Sequence, residues 1–471
     1  MPLVRRSVMR AVALALIEEH RCLEDRMTDP ATANPCETST PDRLNPPRVR
    51  SPKLLQGVGF AVFRRKAMRN WIKRHGHIYE INVPIFGRSV VVSDPALVRS
   101  VCTASTEQLI NVQPNLGNLF GPGSVFELDG RRHRDRRRLL APAFHGQSLK
   151  DYEKVIEDET LRECANWPEN KEFRILEPMN RITLNVILQI TLGVDGAELA
   201  ELREIVAPWM TLGSLMAFVP APPLRTGRHS PWGKLDEFRK AFDRIVLTLI
   251  DRADADPGLG DRVDVLALLL RSRYDDGTAM SRLDLCDELL TLIGAGHEST
   301  ASALGWAFER LRRHPDVVAE LVREVDEGGS DFRRATIFEL LRSRTVVDVI
   351  GRRVDAPNLD LGQWRIPHNR TVLVRIADLH ENPEIFPHPE RFDPYRFRDT
   401  KAAAPAWLAF GGGTRRCIGA EFAVAEMDIV LRTVLQNFRL QTDAAADEKP
   451  HFRGLAHTPK RGGRVVVNRR R

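Results

Sequence analysis

From about Ser51 onward, apolar residues recur mostly at three- and four-residue spacing, which predicts a mainly helical chain. The longest such stretch without proline runs from Arg282 to His314. It opens after Ser281, a capping hydroxyl, carries Asp284 three residues on, and stops at Pro315. At about 1.5 Å per residue this predicts a helix of about 50 Å, enough to cross an entire domain. Strand patterns are short. Tyr79–Val83 and Ser89–Val92 flank a Phe-Gly turn and predict a hairpin, and Asn358–Ile376 is a second β-rich patch. The expected fold class is therefore mainly α with small β-sheets. Thr28–Pro47 is polar and proline-rich, which predicts a partly disordered extension over 1–50 and one folded domain over 51–471.

Composition narrows the class. The chain has 471 residues, 42% hydrophobic and 28% charged, as a water-soluble globular protein has, and neither a disordered chain nor a membrane-embedded bundle fits. The net charge of +7 is small for this length and spread throughout, so no nucleic-acid partner is expected despite the basic runs Arg131–Arg138 and Arg469–Arg471. Arg5, Arg6 and Arg10 before the apolar run Ala11–Ile17 imitate a signal peptide. Glu18 and Glu19, however, stand where small residues would mark cleavage, and Met27 offers a second start. The run is also far short of the roughly 20 residues that span a bilayer. No transmembrane anchor and a cytoplasmic location are expected. The cysteines, at positions 22, 36, 102, 164, 286 and 417, form no C-x-x-C pair and support neither a disulfide framework nor a zinc site.

Two local patterns stand out. Within the long helix, Gly294-Ala295-Gly296-His297-Glu298-Ser299-Thr300 sets two glycines before an acid and two hydroxyls. A mid-helix glycine costs about 1 kcal/mol against alanine. It serves either close approach of a ligand or clearance for a packed neighbour, and the pattern taken alone favours packing. The second is Phe410–Phe422, FGGGTRRCIGAEF, which fits F-x-x-G-x-R-x-C-x-G at Phe410, Gly413, Arg415, Cys417 and Gly419. Cys417 opens the amphipathic segment IGAEFAVAEMDIVLRTVL, where the positive end of a helix dipole favours a thiolate. Nearby glycines allow backbone N–H groups to turn toward the sulfur. A structural cysteine in a turn would leave this arrangement without a use.

The loop resembles the haem-binding loop of the cytochrome P450 family, and the resemblance covers nearly all of the chain from about Ser51. It implies the P450 fold, heme b (iron protoporphyrin IX) as cofactor, and Cys417 as the thiolate ligand of the iron, a ligand that favours O–O cleavage. Glu339-Leu340-Leu341-Arg342 matches the family's E-x-x-R. Glu18/Arg21, Glu159/Arg162 and Glu309/Arg312 match equally well, but position before Pro389-Glu390-Arg391-Phe392 selects Glu339. A buried triad of Glu339, Arg342 and Arg391 is implied. The helix pattern resembles the family's distal motif, with Glu298 and Ser299 delivering protons and Thr300 assisting. Serine stands where threonine is commonest, and one residue is about 100° of rotation, so the two hydroxyls diverge. His297 resembles a packed or pocket-lining residue.

For the haem propionates the resemblance implies Arg415, His133 with Arg137 (histidine replacing the tryptophan of W-x-x-x-R), and Arg353, with Arg352 the neighbouring choice. The pocket would be lined by Leu289–Ile293, Asn111–Phe126 and Met210–Pro223. The implied function is a soluble, bacterial-type monooxygenase acting on an apolar small molecule, with electrons from ferredoxin and ferredoxin reductase. A haem-thiolate sensor has no use for Glu298 with a hydroxyl, and a nucleic-acid binder leaves the cysteine loop unexplained. A peroxide-using or isomerising member stays open.

Overall fold

Arg282–Leu311 forms one helix of 30 residues, and Ser281 Oγ accepts the Asp284 N–H at 3.1 Å to cap it. It stops short of the expected His314 because a residue before proline is driven out of helical geometry, and Pro315 instead opens the next helix, Pro315–Asp326. From Leu285 to Ile293 and again from Thr300 to Leu311 every residue is buried, so this is a core axis and not a surface helix. Its main neighbour is the helix Leu176–Leu192. A Cβ on Gly296 would stand 3.0 Å from Ile187 Cδ1, and one on Gly294 would stand 2.5 Å from the Phe120 ring. Both glycines of the helix pattern therefore give clearance to packed side chains.

This computed structural model describes residues 44–470 apart from 84–85, 113–114, 218, 220–226, 228 and 399–405. The run Ala11–Ile17, Met27, Cys22, Cys36, Arg471 and most of the expected extension lie outside the described residues, as do Phe218 and Pro220–Pro223. Among the described residues no single helix is long and apolar enough to cross a membrane.

The expected hairpin is present as Ile78–Val83 and Gly87–Val92, with Tyr79 opposite Val91 and Ile81 opposite Ser89. It is one edge of a five-stranded sheet that continues through Thr371–Arg375, Val349–Val354 and Leu109–Asn111. Gly87–Val92 pairs in parallel with Thr371–Arg375, and the other pairs are antiparallel. Val90, Val92, Val372 and Val374 bury one face of this sheet in a second core cluster. Asn358–Leu361 and Trp364–Pro367 form a hairpin of their own.

Glu339 and Arg342 stand one turn apart on the helix Asp331–Ser343, fully buried and joined by two hydrogen bonds of 2.7 Å. Arg342 also donates to the carbonyls of His380 (2.8 Å), Pro389 (2.9 Å) and Arg391 (3.1 Å). The third cation is Arg396, with Nε 3.1 Å from Glu339, and not the expected Arg391, whose side chain is exposed. The cause is local. Arg391 lies in a turn closed by its N–H on the His388 carbonyl, and the short 3-10 helix Pro394–Phe397 then brings Arg396 back over Glu339.

His380 carries this anchor to the cysteine loop. Its Nε2 accepts the Leu408 N–H at 3.0 Å, so the ring proton is on Nδ1 and is donated to Thr345 Oγ1 at 2.9 Å. The Thr345 hydroxyl in turn donates to the Arg342 carbonyl at 3.0 Å. Burial, with the Arg342 charge, pushes the His380 imidazole down to about 3, which keeps it neutral. Replacing Glu339 by Gln or Arg342 by Ala is expected to cost about 3–5 kcal/mol, since a buried charge loses its partner. Arg391→Ala should leave stability within about 0.5 kcal/mol of the parent. Urea denaturation distinguishes them, and an Arg391→Ala loss as large as that of Arg396→Ala would refute a triad of Glu339, Arg342 and Arg396.

Candidate active site

The cysteine loop is closed by three backbone bonds: Gly411 N–H to Leu408 O (2.8 Å), Arg416 N–H to Gly413 O (3.0 Å), and Cys417 N–H to Phe410 O (2.9 Å). Gly413 has φ +66°, and a Cβ there would stand 1.7 Å from the carbonyl oxygen of Cys102. Only glycine lets the loop cross the helix Pro95–Thr103 at that point. Gly419 is different, since nothing crowds it. Its N–H instead bonds toward the Cys417 sulfur, just before the helix Ala420–Asn437 begins. The Phe410 ring meets Trp407 edge-on at 5.9 Å.

Cys417 has exposed surface yet is surrounded by protein at short range, so its sulfur lines a recess. Burial raises the thiol's pKa, and the Gly419 N–H, Arg137 and Arg416 oppose that by favouring the thiolate.

A cluster of cations stands beside the loop. His133 and Arg137 are one turn apart on the helix Gly130–Leu140. Arg415 pairs with Asp129 and donates to the carbonyls of Leu128 and, at 3.1 Å, Val125. His133 is buried, and its Nδ1 has no hydrogen-bond partner among the described residues. Burial, then the charges of Arg415, Arg137, Arg352 and Arg134, push its pKa down to about 3. Arg352 is lowered to about 10 by burial and by Arg415. Arg353 is exposed and is not brought to this cluster. Successive strand residues point to opposite faces, and in Val349–Val354 the inward position falls to Arg352.

Crowded cations with one carboxylate and an orphaned buried ring nitrogen make a site for an anion. The two propionates of haem fit it, with the Cys417 sulfur in the adjoining recess.

On the long helix, Ala295 is exposed and Ser299, one turn on, is half-buried, whereas His297 and Thr300 are buried. The accessible side of the helix is therefore the Ala295–Ser299 side. Ser299 Oγ–H donates to the Ala295 carbonyl at 2.9 Å. The Glu298 carboxylate accepts from Ser214 Oγ–H on the helix Gly196–Met216. Burial raises the Glu298 pKa, against the Ser214 bond and the charge of Arg453. His297 Nδ1 lies 2.9 Å from Thr183 Oγ1, and burial lowers its pKa to about 4. It is a packed, neutral residue. Nothing in MTLGSLM marked Ser214 as a partner of the acid.

The three segments expected around a pocket converge. Phe120 packs on Trp209 and Phe126 at 5.4 and 5.7 Å, Gly294 faces Phe120 and Met210, and Leu289–Ile293 is buried. Asn115 Nδ2 donates to the carbonyls of Met216, Ala217 and Val219, which ties the loop to the end of the helix Gly196–Met216. Arg136 joins Glu288 at 2.8 Å and Tyr274 Oη at 2.9 Å, while Gly123 N–H reaches Asp287 at 2.7 Å, which fixes the same loop to the long helix. Part of the basic run Arg131–Arg138 is thus spent on internal partners: Arg136 on Glu288, Arg134 on Thr106, and Arg138 on Asp135 and Asp275.

His297 gives a pH dependence. Between the ordinary value of 6.5 and about 4 the unfolded chain binds a proton that the fold refuses. Its contribution is thus complete above pH 6.5 and is lost on acidification, by at most about 1.4 kcal/mol per pH unit. Denaturation midpoints from neutral to mildly acidic pH should fall less steeply for His297→Asn than for the parent. Equal slopes would contradict the assignment.

The family model described as cytochrome P450 matches residues 50–465. The protein designated cytochrome P450 138 of Mycobacterium tuberculosis is 56% identical over 425 residues, 90% of this chain and 96% of the relative. Cytochrome P450 135B1 of the same organism is 35% identical, over 84% of this chain and 85% of that one. Among solved structures, the retinoic acid-bound cyanobacterial CYP120A1 superposes with a TM-score of 0.80 at 23% identity, covering 91% of this chain and all of that one. The cytochrome P450DA heme domain gives 0.77 at 21% identity, covering 91% of this chain and 98% of that one. A family match spanning most of the chain, with relatives at this identity, makes it a member of the cytochrome P450 family, whose fold binds haem b.

Proposed function

We propose that this P450 is a haem-thiolate monooxygenase that inserts one atom of dioxygen into an apolar organic substrate, with electrons delivered by a separate ferredoxin and ferredoxin reductase. The observation that carries the reading is the open Cys417 sulfur in a recess beside the His133, Arg137, Arg352 and Arg415 cluster. Bound haem supplies the iron centre at which dioxygen is activated.

The chain's own residues do the rest. Cys417 holds the iron, and the Gly419 N–H tempers the charge on its sulfur. Arg137, Arg352 and Arg415 neutralise the propionates, and His133 Nδ1 gains the partner it lacks. Glu298, with its pKa raised and its carboxylate steadied by Ser214, takes up and releases a proton. Ser299, on the accessible side of the helix, relays a proton by accepting one at its oxygen and giving up the hydrogen that otherwise rests on the Ala295 carbonyl. Thr300 is buried away from that side and takes no part. Phe120, Met210 and Leu289–Ile293 form an apolar wall that keeps water out and suits an apolar substrate. A cytoplasmic location and one haem-binding domain over 51–471 go with this reading.

The test is the reduced carbon-monoxide spectrum. The parent should give the red-shifted thiolate band, and Cys417→Ser should lose it; a band that survives would overturn the reading. His133→Ala and Arg352→Ala should lose haem several-fold more readily on gel filtration, and Arg353→Ala should match the parent. Ser299→Ala is expected to raise peroxide release per oxidation at least about tenfold with little change in substrate binding, whereas Thr300→Val stays near the parent.

A further inference from the structure

The helix Lys53–Ala61 is turned inside out. Its polar Gln56 is buried, with Nε2 donating to Val49 O at 3.0 Å and to Ser51 O, and Oε1 accepting the Asn82 N–H at 2.7 Å. With Phe60 it faces the core cluster around Tyr79 and Ile81. Leu54, Leu55, Val58 and Val62 form a stripe on the opposite side, at i, i+1, i+4 and i+8, and are between 49% and 62% exposed. Phe63 follows at 59%. Among the described residues, these are five of the twelve exposed large apolar side chains and fall within ten consecutive residues, so they are concentrated and not the usual scatter.

Charge identifies what the stripe meets. Residues 44–79 contain nine lysines and arginines and no aspartate or glutamate. Arg64 is tied to Asp348, Arg65 and Arg69 to Glu381, and Arg48 to Glu80. Arg50, Lys66, Lys73 and Arg74 are exposed and have no ion pair among the described residues. A groove of about 360 Å³ is lined by Arg48, Arg50, Trp71, Arg74 and His75, with no carboxylate on its walls. It borders the helix, since Trp71 stands 3.3 Å from where a Gly59 Cβ would lie. A second copy of this surface would set cations against cations. An apolar helical stripe flanked by unpaired cations and an arginine-lined groove matches the boundary of an anionic membrane.

We propose that the helix pair Lys53–His75 docks this P450 on an anionic phospholipid bilayer. The Leu54, Leu55, Val58, Val62 and Phe63 side chains sink about 5–10 Å into the headgroup boundary, and the free cations and the groove take lipid phosphates. The association is peripheral and reversible, and it does not depend on the monooxygenase reading.

The test uses the full 471-residue protein and phosphatidylcholine vesicles with and without about 30% phosphatidylglycerol. Co-flotation is expected only with the anionic vesicles, and it should fall several-fold when salt is raised. The variant Leu54→Gln/Leu55→Gln/Val58→Thr should lower partitioning at least about tenfold, and Arg50→Gln/Arg74→Gln several-fold, with haem absorbance and thermal midpoint unchanged. No flotation overturns the proposal; a stripe covered by the chain upstream of residue 44 would give that result. Flotation that the stripe variant leaves intact also overturns it, as does a stripe variant that only turns a dimer into a monomer.

Discussion

The cysteine loop keeps its shape through a bond made far from it in sequence, the buried fork between Glu339 and Arg342. A buried ion pair gains little net stability once desolvation is counted, so its value lies in what it orders. Arg342 binds three carbonyls from two other segments, and Glu339 accepts the Asp393 N–H and meets Arg396. From the same junction the His380 ring extends to Leu408, the residue whose carbonyl starts the turn into the glycines. The glycines at 411–413 give the loop freedom to bend, and this network removes that freedom again. The site gains a sulfur held at one place.

The cation cluster obeys a different economy. Arg137, Arg352 and Arg415 crowd together and keep His133 neutral, and Asp129 pairs with Arg415 among them. Such crowding is unfavourable in the protein alone and becomes favourable when an anion enters, so part of the binding energy of a dianionic cofactor comes from relieved repulsion. On the long helix, burial disfavours the charged form of Glu298, and the Ser214 hydroxyl and the charge of Arg453 oppose that effect. On the proposed reading, the cation cluster receives negative charge and the Glu298 side exchanges protons.

How much of this was legible in the sequence differs by residue. The long helix and its Ser281 cap, the hairpin, and the helix after Cys417 rest on local signals and are present, the long helix ending three residues early. Placements that depend on rotation were not readable. In Gly351-Arg352-Arg353 two identical side chains occupy adjacent positions, and only the register of the sheet decides that Arg352 turns inward. Arg391 sat in the right motif, yet a turn and a short helix five residues on delivered Arg396 instead. The paired glycines at 294 and 296 allowed two meanings, and only the Phe120 and Ile187 contacts choose packing. Ser214 and His380 act through partners distant in sequence, and no local pattern could announce either.

The parallel pairing of Gly87–Val92 with Thr371–Arg375 also governs how the protein is made. Its partners are separated by roughly 280 residues, and at ribosomal rates of about 5–20 residues per second the early hairpin waits some tens of seconds for its neighbour to emerge. Such high contact order makes assembly slow, and it leaves an unpaired strand edge uncovered during translation. On the proposed reading haem capture comes later still, because Cys417 follows Thr371–Arg375 in the chain.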